Sequence, residues 1–182
     1  MSPPSFQSLV DTHYEALFRF GQSLAGNPSD AADLTQQTFF IWAKKGHALR
    51  DVAKAKSWLF TTLYREFLKQ NRRSQRIDYR ENDEIERTAP PTEPNWLETI
   101  DATLVVETLS KLDETFRAPL TLFYLEDSSY KEIAEILDIP LGTVMSRLSR
   151  GKRQLRRLLR DAIETRRDNL IPLPRAERQS HG

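Results

Sequence analysis

Ser129-Tyr130-Lys131-Glu132-Ile133-Ala134-Glu135-Ile136-Leu137-Asp138-Ile139-Pro140-Leu141-Gly142-Thr143-Val144-Met145-Ser146-Arg147-Leu148 decides how the C-terminal half folds. It reads as two short helices joined by a tight turn, the second running on into a basic helix. Ser129 caps the first helix, and Glu132 three residues later completes a capping box. Ile133, Ala134, Ile136 and Leu137 recur at helical spacing and give that helix an apolar side. Asp138 falls at the turn, where a left-handed backbone is expected; glycine is easiest there and aspartate is tolerated. Pro140 ends the first helix and admits the second, with Ile139 plugging the corner. This pattern is a helix-turn-helix, a unit that places its second helix in the major groove of duplex DNA.

The second helix has two chemically different sides. Val144, Leu148, Gly151, Leu155 and Leu158 recur every three or four residues and should face a core. Arg147, Arg150, Lys152, Arg153, Arg156, Arg157 and Arg160 cover much of the rest, and no acid occurs from Gly142 to Arg160. A solvated helix normally mixes both signs, so a single sign points to a polyanion.

Working outward, the chain has 182 residues and a net charge of only +1. The basic helix is therefore offset by acids earlier in the chain, a segregation that composition alone hides. Cysteine is absent, which excludes disulfides and thiolate metal sites. Met1-Ser2-Pro3-Pro4-Ser5 carries no basic-then-apolar leader, and no apolar run reaches membrane-spanning length. A cytoplasmic protein without membrane insertion is expected. Few glycines, frequent leucine and few β-branched runs predict an all-α fold.

Two small helical domains are predicted, residues 1–73 and 101–163, joined by a flexible acidic linker over 74–100 and followed by a mobile tail over 164–182. In the first domain, Phe6, Leu9, Val10, His13, Leu17 and Phe20 stripe one helix that ends near Gly26-Asn27-Pro28. Ser29 is expected to cap a second helix reaching about Lys45, and a third should run from about Lys54 to Arg73. The linker holds Asp78, Glu81, Asp83, Glu84, Glu86 and Glu93 with Pro90, Pro91 and Pro94, too few apolar residues to bury a core. Helices should resume near Trp96. Pro119 lies inside a later helix, where a kink or a late start is expected.

The second helix carries a block of apolar residues, Phe39-Phe40-Ile41-Trp42, wider than one stripe can bury. Leu34, Thr38, Ile41 and Trp42 fit one buried side; the remainder is either extra core or a docking surface. Asp33, Gln36 and Gln37 fall on a neighbouring polar face. The third helix interleaves Trp58, Phe60, Tyr64 and Phe67 with Lys54, Lys56, Arg65, Lys69, Arg72 and Arg73. Rings among cations suit single-stranded DNA, whose bases stack on aromatics at roughly 1–3 kcal/mol each. Trp58, Leu59, Leu63 and Phe67 equally match a core stripe.

Several of these segments together resemble one family, the bacterial RNA polymerase sigma factors of the extracytoplasmic-function (ECF) group. Asp30-Ala31-Ala32-Asp33-Leu34-Thr35-Gln36-Gln37-Thr38-Phe39 resembles that family's polymerase-binding helix. Ser57-Trp58-Leu59-Phe60 resembles the start of its promoter-melting helix. Ser129 to Ala134 and Gly142 to Gly151 resemble its helix-turn-helix. The resemblance implies that Asp33, Leu34, Gln36, Gln37 and Phe40 dock on the clamp helices of core RNA polymerase. It assigns Lys56, Trp58, Tyr64, Arg65, Lys69, Arg72 and Arg73 to the −10 promoter element, where a base is flipped at a cost of a few kcal/mol. It assigns Thr143, Met145, Ser146, Arg147, Ser149, Arg150, Lys152 and Arg153 to the −35 element, with Arg150 the best-suited guanine reader. It further implies an anti-sigma partner and no cofactor.

The chain departs from the family at several positions. Gln37 stands where an acid is usual, Arg65 and Lys69 stand where Asn and Asp are common, and Asp138 replaces the usual turn glycine. His13, His47 and His181 are scattered, and there is no metal-ligand spacing, phosphate loop or nucleophile motif, so an enzyme is not expected. Two other readings compete: a sigma-like decoy that binds only an anti-sigma protein, and a helix-turn-helix repressor. A decoy need not keep a basic recognition helix. A repressor would not account for the docking segment.

Overall fold

A computed structural model describes residues 6–46, 49, 51–74 and 102–168. Apart from Ser74, which ends α3, the linker expected over 74–100 lies outside the described residues, as do most of the expected tail and the restart near Trp96. Among the described residues the chain is helical throughout: α1 (Phe6–Ala25), α2 (Pro28–Lys45), a 3-10 turn (Val52–Lys54), α3 (Ala55–Ser74), α4 (Ala102–Leu109), α5 (Glu114–Tyr124), α6 (Tyr130–Leu137) and α7 (Leu141–Asp168). None of these helices is long and apolar enough to cross a membrane.

The first three helices form one bundle. Gly26 takes φ +76° and ends α1, with its N–H donating to the Gln22 carbonyl at 2.9 Å. The cap of α2 is Asn27, not Ser29: the Asn27 side chain accepts from the Asp30 N–H at 2.9 Å. Pro28 then occupies the first helical position, where no N–H is needed. Leu9, Leu17, Phe20, Leu34, Leu59, Phe60 and Leu63 are all buried where α1, α2 and α3 meet. Phe6, expected on the core stripe, is 49% exposed.

The second half packs α4 to α6 around α7. Pro119 neither delays α5 nor ends it, since the helix runs from Glu114 to Tyr124 with Pro119 buried inside it. Val144, Leu148, Gly151 and Leu155 face the core as the spacing predicts, but the stripe continues through Leu159, which is 1% exposed, while Leu158 is half-buried. Spacings of four, three, four and four keep one face in register with a 3.6-residue turn. At Gly151 a Cβ would sit 2.7 Å from Leu120 Cδ1 and 3.0 Å from Phe116 Cβ, so glycine lets α7 cross α5 closely. The helix also runs past the expected boundary at residue 163 to Asp168, and Arg166 Nη2 donates to Glu107 at 3.2 Å.

The two halves are packed on each other. One contiguous apolar core runs from Leu9 to Leu159, with α1 against α5 and α3 against α6. Arg117 Nη1 donates to the Leu24 carbonyl at the end of α1 at 3.1 Å. Asn71 Nδ2 donates to Glu114 Oε1 at 2.7 Å.

Candidate functional site

Between α2 and α3 lies a groove of about 690 Å³ lined by Asp33, Gln36, Gln37, Phe40, Glu66, Lys69 and Gln70. Helical spacing places Asp33, Gln36, Gln37 and Phe40 on one side of α2. Phe40 is 53% exposed, and the Lys44 ammonium sits 4.1 Å from its ring centroid, a cation–π contact. The block Phe39 to Trp42 thus divides: Phe39 is buried, Ile41 and Trp42 are half-buried, and Phe40 faces solvent. Leu34, assigned to docking by resemblance, has no exposed surface. It sits on the core side of α2, so it holds the helix and does not reach a partner. Lys69, assigned to the promoter set, lines this groove instead, with its ammonium 3.3 Å from Glu66 Oε2. Glu66 and Gln70 belong to the same groove and went unnoticed in the sequence, because only the α2–α3 packing brings them beside Asp33.

At the start of α3, Lys56 and Trp58 are half-buried. The Trp58 ring meets Trp42 edge-on, centroids 5.0 Å apart and planes 77° apart. Gly46 closes this corner: a Cβ there would lie 2.5 Å from Trp42 Cδ2. Tyr64 stacks near Phe67 with centroids 6.5 Å apart, and Arg65 is exposed with its guanidinium 3.8 Å from Asp138. Leu59, Phe60, Leu63 and Phe67 are buried, so two of the four rings of α3 are core, and Trp58 and Tyr64 are those with surface left. Arg72 and Arg73 fall in the last turn of α3, and their side chains lie outside the described residues.

The helix-turn-helix has the local chemistry its sequence predicts. The Ser129 N–H donates to Glu132 Oε2 at 2.8 Å, and the Glu132 N–H donates to Ser129 Oγ at 3.3 Å. The hydrogen bonds from Ser129, side chain first and then backbone, hold the Glu132 carboxyl below its ordinary value. Asp138 is left-handed, at φ 57° and ψ 47°. On α7, Thr143, Met145, Ser149 and Arg150 are partly accessible, and Arg153, Arg157 and Arg160 are exposed. Ser146 and Arg147 are not open positions in this arrangement, at 8% and 9% exposure. Lys152 is half-buried, its ammonium 4.5 Å from the Phe123 centroid and 5.8 Å from that of Tyr124, and burial lowers its pKa.

Comparison with known proteins covers the same two regions. The Sigma-70 region 2 family matches residues 9–77, and the Sigma-70 region 4 family matches residues 103–155. The ECF RNA polymerase sigma factor SigE of Mycolicibacterium smegmatis is 35% identical over 157 residues, 84% of this chain and 61% of that protein's length. SigL of Mycobacterium tuberculosis is 30% identical over 165 residues, 88% of this chain and 92% of that protein. Among solved structures, the sigma factor RpoE in complex with the anti-sigma factor NepR from Bartonella quintana aligns with a TM-score of 0.67 and 28% identity, covering 85% of this chain and 96% of that one.

Proposed function

The chain belongs to the extracytoplasmic-function group of sigma factors, and from that membership we propose how its residues divide the work of promoter-specific transcription initiation. It binds core RNA polymerase and directs it to promoters carrying −10 and −35 elements. The α2–α3 groove is the polymerase-docking surface, with Phe40 as its apolar anchor and Asp33, Gln36 and Gln37 as polar contacts. The start of α3 and the loop before it read and open the −10 element. The helix-turn-helix reads the −35 element, with Met145, Ser149 and Arg150 at base edges and Thr143, Lys152 and Arg153 on phosphates. Ser146 and Arg147, nearly buried, take no part in this reading. The observation that carries this reading is the pairing of a half-exposed phenylalanine in a polar groove with a capped helix-turn-helix feeding an acid-free basic helix.

The chain carries no catalytic step; nucleotide addition is the polymerase's. It acts in the cytoplasm, where polymerase and chromosome are. An anti-sigma factor controls it, a reading supported by the likeness to a sigma factor solved with such a partner. Mixing the purified chain with sigma-free core polymerase and measuring run-off transcription from genomic promoter fragments tests the proposal. Discrete transcripts that depend on the chain are expected. A folded chain that yields none with active core would refute it.

A further inference from the structure

The docking groove has two walls, and the contacts proposed on α2 leave the charged wall on α3 without a role. On that wall, Lys69 Nζ donates to both carboxylate oxygens of Glu66, at 3.4 Å to Oε1 and 3.3 Å to Oε2. The two side chains are unequal in depth: that of Lys69 is 55% exposed and that of Glu66 only 17%. The ammonium is therefore the outer member, presented to whatever enters the groove, and the carboxylate lies behind it. Asp33 and Phe40 line the same space from α2.

Two departures from the family pattern meet in this groove. Gln37 stands where an acid is usual and Lys69 where aspartate is common, and although they belong to different helices they line one space. Both changes remove negative charge, and the second adds positive charge. A groove with acids at both positions would suit a uniformly cationic surface. Here the charge is divided, with Asp33 negative on one wall, Lys69 positive on the other, and Glu66 paired beside it. A cationic surface brought against the α3 wall would meet the Lys69 ammonium and be repelled, whereas a carboxylate there would find a partner already facing outward.

We propose that Lys69 is a specificity-determining residue of the docking groove, which takes a core polymerase surface of divided charge: a carboxylate opposite Lys69 and a cation opposite Asp33, on either side of the apolar contact with Phe40. This rests on the docking role proposed for the groove. Glu66 acts as a positioning residue, holding the ammonium at the rim until the partner carboxylate shares it. The Gln37 amide can donate or accept, so it tolerates either sign beside it. The consequence is partner choice. Selectivity comes from an element that repels the wrong partner as much as from contacts to the right one, and Lys69 is that element for a polymerase whose docking surface is cationic throughout.

The test measures binding of the full chain to sigma-free core polymerase from the organism that encodes it. Lys69→Met keeps the aliphatic stem and removes the charge; it is expected to weaken binding by about three- to fivefold, the size of a solvent-accessible ion pair. Lys69→Glu replaces attraction by repulsion and is expected to weaken it by about tenfold or more. Unchanged affinity in folded Lys69→Glu would overturn the proposal, and so would tighter binding, which would mean a cationic partner at this point. Lys69→Met also releases Glu66, so the loss is measured again in a Glu66→Gln background. A loss that persists there belongs to a contact across the interface; one that vanishes belongs to the pair within α3 and overturns the proposal. Carbodiimide coupling reads the contact directly, since it joins Lys69 Nζ to an adjacent carboxyl carbon as an amide while the carboxyl oxygen leaves in the urea by-product. Peptide mass spectrometry should find Lys69 joined to Glu66 in the free chain and to a polymerase Asp or Glu in the complex. Lys69 joined to Glu66 alone in the complex would overturn the contact. Phe40→Ala separates the two levels: unchanged affinity there removes the groove from docking altogether, whereas a weakened Phe40→Ala beside unaffected Lys69 variants overturns the specificity role alone.

Discussion

Phe40→Ala is expected to leave the fold intact and to weaken core polymerase binding by about 50- to 100-fold. The figure follows from the exposed ring. A phenylalanine side chain carries about 200 Å² of surface, and 53% of Phe40 remains exposed in the free chain. Covering about 100 Å² on docking, at about 25 cal/mol per Å², stabilises the complex by about 2.5 kcal/mol. That is a little under two factors of ten in affinity. The same geometry limits the effect on stability. The ring touches Lys44 through a surface cation–π contact at 4.1 Å, worth about 0.5–1 kcal/mol. The assay is competition of labelled chain for sigma-free core polymerase by fluorescence anisotropy, beside a urea melt of each variant. A melt lowered by more than about 2 kcal/mol would place Phe40 in the core. An unchanged affinity would remove it from the docking surface.

Other outcomes follow from the packing and the titrating groups. Ser129→Ala removes the side-chain half of the capping box at α6, with the Oγ–H bond to Glu132, and leaves the backbone N–H half in place; it should cost about 1 kcal/mol in a melt at neutral pH. Glu132 is held below its ordinary carboxyl value by Ser129, so its stabilisation is present above that ordinary value and lost as pH falls through the depressed one; the variant should show a flatter acid limb, and an unchanged limb would refute the cap's role. His13 is pushed below its ordinary value of 6.5 by burial first and Lys56 second, so stability should fall as pH drops below about 6.5, and His13→Gln should remove that part of the slope in pH-resolved melts. Gly46→Ala drives a methyl into the Trp42 ring and should cost about 1–3 kcal/mol, with a changed near-ultraviolet dichroism from the Trp42–Trp58 pair. An unaltered melt and spectrum would mean the ring swings aside freely.

Local chemistry was legible residue by residue in the chain. The helix-turn-helix could be read because its signals act within a few residues: a serine and a glutamate three apart, an aspartate that tolerates a left-handed backbone, and leucines and valines at helical spacing. The same holds for the buried stripe of α3 through Leu59, Leu63 and Phe67. Small local errors came from near-equivalent choices, such as Ser29 for Asn27 as the cap of α2, where two polar residues on either side of Pro28 are both good cap types.

What only the tertiary structure decided is which polar and aromatic residues meet across helices. Leu34 and Phe40 fall in one short segment, yet one is sealed in the core and the other is open, because the direction of α2 against α1 and α3 fixes which side is covered. Lys69 belongs with Asp33 through a groove whose walls come from two separate helices, α2 and α3. Glu126 had no local pattern to mark it, since its partners Arg19 and Lys56 lie 107 and 70 residues away. Periodicity and capping report the free energy of a single helix turn, whereas a buried acid receives its partners only when two separately legible bundles close on each other.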